Sequence, residues 1–401
     1  MDAEGGCFRP AAVALREGQV AAIGTPTEVR RRIGTGGRTV RLADRLILPG
    51  MVNAHAHLDL TDAGPRAYGG DFVGWLMEVV RWRRSGSAKP QAAVRRGAAM
   101  SRAAGVNVVG DIAGREEWMG CRQAMIDGGL RGVSFVEVLG IGGAMVAESL
   151  AVLDRVECDQ PVETSVTLGV QPHAPYTTLP SLYAAAVDVA VRRGLPVSTH
   201  LAELPDELEF VASARGPFRE LWELLGIWDP ICEPTYSTGQ HPVHWLEPQL
   251  RRAPFLCAHV NYIDDDSIAL LAETRSSVAY CPVASDYFHH RGHRYRDMID
   301  AGVNVCLGTD SILCQPPDEP QPLGILAQMR HLYRRDRTDP QLLLKMATTN
   351  GMRGLQLEPA PIQEWFAVRF DPDESLDPLA QVLQNRYPVE PLTDLLKELD
   401  P

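Results

Sequence analysis

Lysine is almost missing from this chain: 401 residues hold only Lys89, Lys345 and Lys397, none on a segment that reads as a core strand. A Schiff-base mechanism, which needs a lysine amine inside a site, is disfavoured on that ground. The eight cysteines never form a C-x-x-C, and their scattered spacing fits a reducing compartment better than a disulfide framework. Positive charge is also short, with Lys+Arg 39 against Asp+Glu 51 and a net charge of -12. Such a surface repels phosphate backbones, so a nucleic-acid partner is not expected. No G-x-G-x-x-G follows an early strand, which disfavours a dinucleotide-binding domain. The start, Met-Asp-Ala-Glu-Gly-Gly, lacks the basic region and apolar core of a signal peptide. The longest uncharged stretch, Thr164 to Val187, is broken by Pro172, His173, Pro175 and Pro180 and does not read as a membrane span. A cytoplasmic protein with no membrane partner is the expectation, with self-association into a homo-oligomer left open.

What is present is globular. Hydrophobic residues make up 45% and charged residues 22%, which excludes a disordered or fibrous chain. Residues 1–50 read as short strands: Ala11–Leu15 and Val20–Ile23 around a turn at Glu17-Gly18, then Thr39–Leu42 and Leu46–Leu48. Beyond Met51 apolar runs of strand length recur: Leu46–His57, Val106–Ile112, Val133–Leu139, Val166–Pro172, Leu195–His200, Phe255–Val260, Ser277–Cys281 and Val303–Gly308. Helical patterns follow most of them, at Glu116–Ile126, Ala144–Val156, Pro180–Arg193, Asp266–Thr274 and Leu323–Arg335. Leu182, Ala185, Ala186 and Val189 show the i, i+3, i+4, i+7 stripe of a helix laid on a sheet. Continuous apolar strands alternating with helices predict a parallel sheet covered on its outer face. Seven steps between His57 and Asp310 average roughly 36 residues, so eight units favour an α/β fold of the (β/α)8 TIM-barrel type. Two stretches exceed an ordinary connection, Asp59–Pro90, which holds Trp75 and Arg81, Arg83 and Arg84, and Leu204–Ala253. Both would follow strand C-terminal ends, where barrels build lids over their sites.

Five polar placements carry the chemistry. In His55-Ala56-His57 the residues i and i+2 of a strand point the same way, so both imidazoles can reach one ion. His200, His259 and Asp310 end the fifth, sixth and eighth runs, which in a barrel all face one mouth. Imidazoles with a carboxylate suit one divalent metal ion, Zn2+ in preference to Fe2+. His289-His290-x-x-His293 reads as rim or substrate contact rather than a second metal site, and His241 and His244 do not read as ligands. Asp264-Asp265-Asp266 reads as a helix N-cap.

These residues resemble the amidohydrolase superfamily, in its cytosine deaminase-like and chlorohydrolase-like branch that includes guanine, adenosine-type and aminofutalosine deaminases. The likeness rests on Leu48-Pro-Gly-Met-Val-Asn-Ala-His-Ala-His-Leu58, His200-Leu-Ala-Glu203, His259 and Leu307-Gly-Thr-Asp-Ser311, with Gln19–Gly24 similar to an N-terminal sandwich strand. It implies a barrel over residues 51–355 and a small β-sandwich from residues 1–50 plus 356–401. It implies that His55, His57, His200 and Asp310 ligate one metal, with Glu203 as proton shuttle, His259 orienting or polarising the metal-bound water, and Asp310 able to accept the water's proton while still touching the metal. Hydroxide generated at the metal would attack a ring carbon bearing an amino group and release ammonia. Glu203 would need a pKa above a free Glu's ~4.3 to act as the acid. Trp75, His173, Tyr176 and Ser311 are the implied substrate contacts. Two-metal members bridge their ions through a carbamylated lysine on the fourth strand, and Ser165–His173 has none. The H-x-E with P-C-x-x-C signature of the other deaminase fold is absent.

The chain departs from the branch twice. Relatives read Cys-Pro-Arg-Ser after the seventh strand where this chain has Cys281-Pro-Val-Ala-Ser285, and the usual C-terminal Gly-Ser-Leu segment is missing. Gln363–Phe370 could still add a strand to a reduced second domain. The leading expectation is an aminohydrolase acting on an amino-substituted N-heterocycle, a purine nucleoside of the aminofutalosine or adenosine-thioether type. The alternatives are hydrolysis of a cyclic amide or ring C-halide at the same site, or an inactive barrel serving as a binding subunit.

Overall fold

The computed structural model describes residues 10–16, 19–34, 36–37, 39–85, 89–159, 164–358 and 364–398. At the N-terminus β1 (Ala12–Arg16) and β2 (Gln19–Gly24) pair antiparallel, while the turn at Glu17-Gly18 lies outside the described residues. The expected strand Thr39–Leu42 does not form. None of its four side chains is buried and it has no ladder partner, so nothing holds it extended. The run Leu46–His57 is two strands, not one: β3 (Arg45–Pro49) and β4 (Met51–Ala56) part at Gly50 and join different sheets.

From β4 the chain builds the barrel: β5 (Val106–Ile112), β6 (Arg131–Val138), β7 (Val166–Pro172), β8 (Val197–Leu201), β9 (Phe255–His259), β10 (Ser277–Tyr280) and β11 (Asn304–Leu307). Each pairs in parallel with its neighbours in chain order. A bridge between Ala56 and Asp310 brings the two ends together, leaving an eight-stranded, nearly closed TIM barrel. Gln363 lies outside the described residues, but β12 (Trp365–Arg369) runs antiparallel to β3, with Trp365 opposite Pro49 and Arg369 opposite Arg45. β13 (Val389–Pro391) completes this three-stranded sheet, so the C-terminal chain does return to the N-terminal segment.

The outer helices follow their sequence signals. Pro180–Arg193 starts on a proline whose missing N–H is not needed there and stops at Gly194 in the left-handed region, φ 62°. Its Leu182, Ala186 and Val189 are buried against the barrel. Asp264 caps Asp265–Glu273 by accepting the Ser267 N–H at 2.8 Å. The long stretch after β4 becomes a short 3-10 turn, Leu58–Ala63, and the helix Phe72–Arg84; the stretch after β8 becomes short helices from Pro205–Ser213 to Glu247–Leu250. The seven described cysteines are unpaired. Among the described residues no helix is long and apolar enough to cross a membrane.

Candidate active site

The strand β4 changes character along its length. Val52 and Ala54 pack with Val108, Phe135 and Leu355 in an apolar cluster, whereas Ala56 packs in the other cluster with the helices. Strict alternation from Val52 and Ala54 would carry Ala56 to the lumen instead. The register against β5 shifts between Asn53 and Ala56, and such a bulge re-aims the side chains beyond it. His55 and His57 consequently stand beside His200, with ring centroids 5.0 Å and 5.4 Å from it.

The pairing that holds Asp310 begins at the same strand. The backbone N–H groups of Thr309 and Asp310 both donate to His55 O at 3.1 Å, and Asn53 grips Thr309 through two further bonds of 2.7 and 3.0 Å. Gly308 must be glycine, because a Cβ there would stand 2.9 Å from both the Cβ and the carbonyl oxygen of His55. Asp310 adopts φ 58°, and Ala202, His259 and Val260 on the same rim are also left-handed, at 48°, 70° and 52°. Non-glycine residues in that region store strain and collect at functional sites.

Five groups converge. His57 Nε2 lies 3.3 Å from His200 Nε2 and 3.6 Å from Asp310 Oδ1, and His55 Nε2 lies 3.8 Å from the same oxygen. The ring of His259 stacks on that of His200 at 5.5 Å. Ligand atoms of His55, His57 and His200 all fall within 4.8 Å of one another, as do those of His55, His259 and Asp310. Both ring nitrogens of His55 and Nδ1 of His57 are buried with no hydrogen-bond partner in the protein. Buried polar atoms are normally satisfied, so this cradle fits a cation that accepts their lone pairs. His200 Nδ1 donates to the carbonyl of His173 at 3.0 Å, which sets the tautomer and leaves Nε2 free to ligate. Burial holds the four imidazoles neutral: His200 is pushed down to about 3, by burial and then the His173 ring, and His55, His57 and His259 fall well below the usual range.

Glu203 faces this cluster, with Oε1 3.6 Å from His259 Nε2. Burial, and then the nearby carboxylates of Asp310 and Glu207, hold its carboxyl well above the ordinary range, which favours its protonated form. Asp310 is pushed up to about 7 by burial, opposed by the Cys314 thiol, which donates to Oδ2 at 3.5 Å.

The implied substrate contacts fall into three settings. His173 lies beside His200, ring to ring at 4.8 Å, with Nδ1 2.7 Å from Thr177 Oγ1 and Nε2 3.9 Å from Glu137 Oε1. Trp75, on the helix Phe72–Arg84, donates to the Tyr287 hydroxyl at 3.0 Å and meets Phe288 edge-on in a half-buried aromatic group. Tyr176 and Ser311 are nearly inaccessible: the Tyr176 ring stacks on Phe218 at 4.0 Å, and Ser311 Oγ meets Cys314 Sγ at 3.6 Å.

His289, His290 and His293 form no cation cradle among the described residues. His290 meets the Tyr262 hydroxyl, and His293 packs on Tyr280 and donates to the carbonyl of His259, holding that strained residue from behind. Sequence reasoning missed the other supports. Glu207 Oε1 and Oε2 accept the N–H groups of Ala202 and Glu203 at 2.8 and 2.9 Å, and burial pushes its carboxyl up to about 8. Asn261 donates to the Glu203 carbonyl and itself accepts from the Ser285 hydroxyl. The Glu207 signal was readable four positions after Glu203, inside a helix opened by Pro205.

A parallel eight-stranded barrel whose strand ends gather neutral imidazoles and carboxylates defines a metal-dependent hydrolase scaffold. The chain belongs to the amidohydrolase family: the family model matches residues 46–360. It is similar to the aminodeoxyfutalosine deaminase of Deinococcus radiodurans, 30% identical over 368 residues covering 87% of this chain and 82% of that protein. Among solved structures it resembles Helicobacter pylori aminofutalosine deaminase in complex with methylthio-coformycin, at TM-score 0.77 and 18% identity over 95% of this chain and 92% of that one. It also resembles an adenosine deaminase from Xanthomonas campestris with bound zinc, at TM-score 0.73 and 20% identity over 95% and 88% of the two chains.

Proposed function

We propose that this protein is a metal-dependent aminohydrolase that replaces the amino group of a purine nucleoside derivative by oxygen and releases ammonia. The observation that carries the reading is the meeting of unpartnered buried ring nitrogens of His55 and His57 with His200 and Asp310, opposite a buried carboxyl, Glu203, whose protonated form burial favours. His55, His57, His200 and Asp310 would hold one divalent ion, and three nitrogens with one oxygen suit Zn2+, the metal bound in the Xanthomonas campestris structure. When bound, the ion lowers the pKa of water towards ~7 and supplies hydroxide at neutral pH.

Glu203 donates its proton to the ring nitrogen next to the carbon under attack, so the ring is activated as the new carbon–oxygen bond forms. Asp310, beside the His55 and His57 rings, would accept a proton from water. A proton returned to the departing amino group completes ammonia. His259, close to both Glu203 and His55, would orient the incoming oxygen. Glu207 and Asn261 fix the Glu203 backbone on both sides, so the acid keeps its direction through the cycle. Trp75 and His173 would meet the base and its sugar. Aminofutalosine-type and adenosine-thioether nucleosides are the favoured substrates, in keeping with relatives named aminodeoxyfutalosine deaminase and 5-methylthioadenosine/S-adenosylhomocysteine deaminase.

The test is ammonia release from zinc-loaded protein with an aminofutalosine-type nucleoside, methylthioadenosine and adenosine. Turnover of at least one of them to the oxo product is expected, and no turnover of any rejects the reading.

A further inference from the structure

Beside the metal-site residues a cleft of about 350 Å3 is bounded by the segments that follow β4, β10 and β11 and by the helix Ile325–Asp336. Four guanidinium groups line it, from Arg66, Arg330, Arg334 and Arg386. In a chain of net charge -12 this is a concentration of the opposite sign.

The charges inside the cleft do not neutralise one another. Of the two carboxylates that line it, Asp286 is already engaged by Arg291, Arg335 and His331 at 2.9–3.1 Å. Glu319 is left to balance the arginines. Arg330, buried on the helix, donates to the carbonyls of Val382 and Tyr387 at 3.0 and 2.5 Å. Those bonds tie down the C-terminal segment without cancelling the charge. Burial pushes Arg330 down to about 10 against the pull of Glu319, and Arg334 and Arg386 add like-charge repulsion. Arg386 reaches Asp318 only at 3.4 Å across an exposed surface. Arg66 and Arg334 make no ion pair among the described residues, so anchoring the tail does not explain them. Clustered guanidiniums without matching carboxylates are the arrangement that recognises oxyanions, through paired charge-assisted N–H donors.

We propose that this cleft binds an oxyanion, a carboxylate or a phosphate, through Arg66, Arg334 and Arg386. Its wall touches the candidate active site at two points. Cys314 lines the cleft and donates to Asp310, and Tyr287 lines it and accepts from Trp75. An anion there sits one side chain away from both Asp310 and the aromatic lid. The oxyanion comes from one of two sources: an acidic group carried by the substrate itself, or a free metabolite. The first source rests on the nucleoside-deaminase reading, and the site itself does not.

Titrating the full metal-loaded chain calorimetrically with inorganic phosphate and with benzoate, at constant ionic strength set by chloride, decides the matter. Saturable binding of at least one probe is expected, weakened at least tenfold in R334Q/R386Q. R66Q serves as the second variant, since the Arg66 side chain makes no bond on which folding would depend among the described residues. No saturable binding, or binding unchanged in both variants, overturns the proposal. The ratio of kcat/KM for a carboxylate-bearing nucleoside over a neutral one then separates the sources. A fall of that ratio in R334Q/R386Q assigns the cleft to the substrate's own acidic group, and an unchanged ratio with lost phosphate binding assigns it to a free anion. If no nucleoside is turned over, the calorimetry still stands, so failure of the deaminase reading and failure of the oxyanion site are told apart.

Discussion

The two ends of the barrel lumen obey opposite rules. At one end Val52, Ala54, Val108, Ile112, Val133, Phe135, Leu256, Ala279, Cys306 and Leu355 form a sealed apolar cluster with every backbone in ordinary territory. At the other, buried imidazoles lack partners, Glu203 and Asp310 are buried as carboxyls, and four residues are bent into the left-handed region. One strand, β4, serves both ends within six residues. The closed end supplies the stability on which the open end draws. That division is how a folded chain can carry groups that would each destabilise it alone.

Three substitutions probe this division. The largest effect is expected at the open end. Glu203→Gln keeps shape and hydrogen bonding but removes the acid, so kcat falls by about 10²–10⁴-fold while thermal stability is kept or raised, as steady-state rates and melting curves will record. A matching loss of stability would mean that Glu203 is structural and the contrast between the ends is false. At the closed end, Leu355→Ala opens a cavity in the sealed cluster and lowers stability by about 2–5 kcal/mol. The kcat measured on the folded fraction should move little. Denaturant unfolding alongside rates checks both halves of that statement.

The smallest effect concerns Asp111, a fully buried carboxyl beside the open end whose Oδ1 accepts the Leu58 N–H at 2.9 Å and whose Oδ2 has no partner. Burial raises it to about 8. A folded value above the unfolded ~3.9 means that its contribution is fully present at low pH and is lost as pH climbs towards 8. Wild-type melting temperature should therefore fall by a few degrees more between pH 6 and 9 than that of Asp111→Asn, which has no proton to lose. Parallel curves for the two proteins would show that Asp111 does not titrate in this range.

Much of this molecule was legible in the order of its residues. β7 and the helix Pro180–Arg193 have the bounds their sequence suggests, because Pro172, Pro180 and Gly194 are local stop and start signals that tertiary packing does not override. The rim polar residues were legible because each ends an apolar run. What stayed hidden depends on partners far away in the chain. Thr39–Leu42 has a strand's composition but finds no neighbour, and the break at Gly50 becomes visible only when β12 arrives from residue 365 to claim β3. Glu207 reads as an ordinary helix-start carboxylate until its two backbone bonds are seen. The shift between Asn53 and Ala56 leaves no mark in composition at all. Arg66 and Arg386 stand 320 positions apart yet share one cleft.

His55, His57, His200 and Asp310 are proposed to hold a single divalent ion. Anomalous diffraction from crystals of the purified protein, together with elemental analysis of the wild type and His57→Ala, decides whether they do. One peak among these four side chains, one metal equivalent per chain, and loss of both in His57→Ala is the predicted result. Metal-free wild-type protein that stays empty when Zn2+ or Fe2+ is supplied, or a peak at another place, would contradict it.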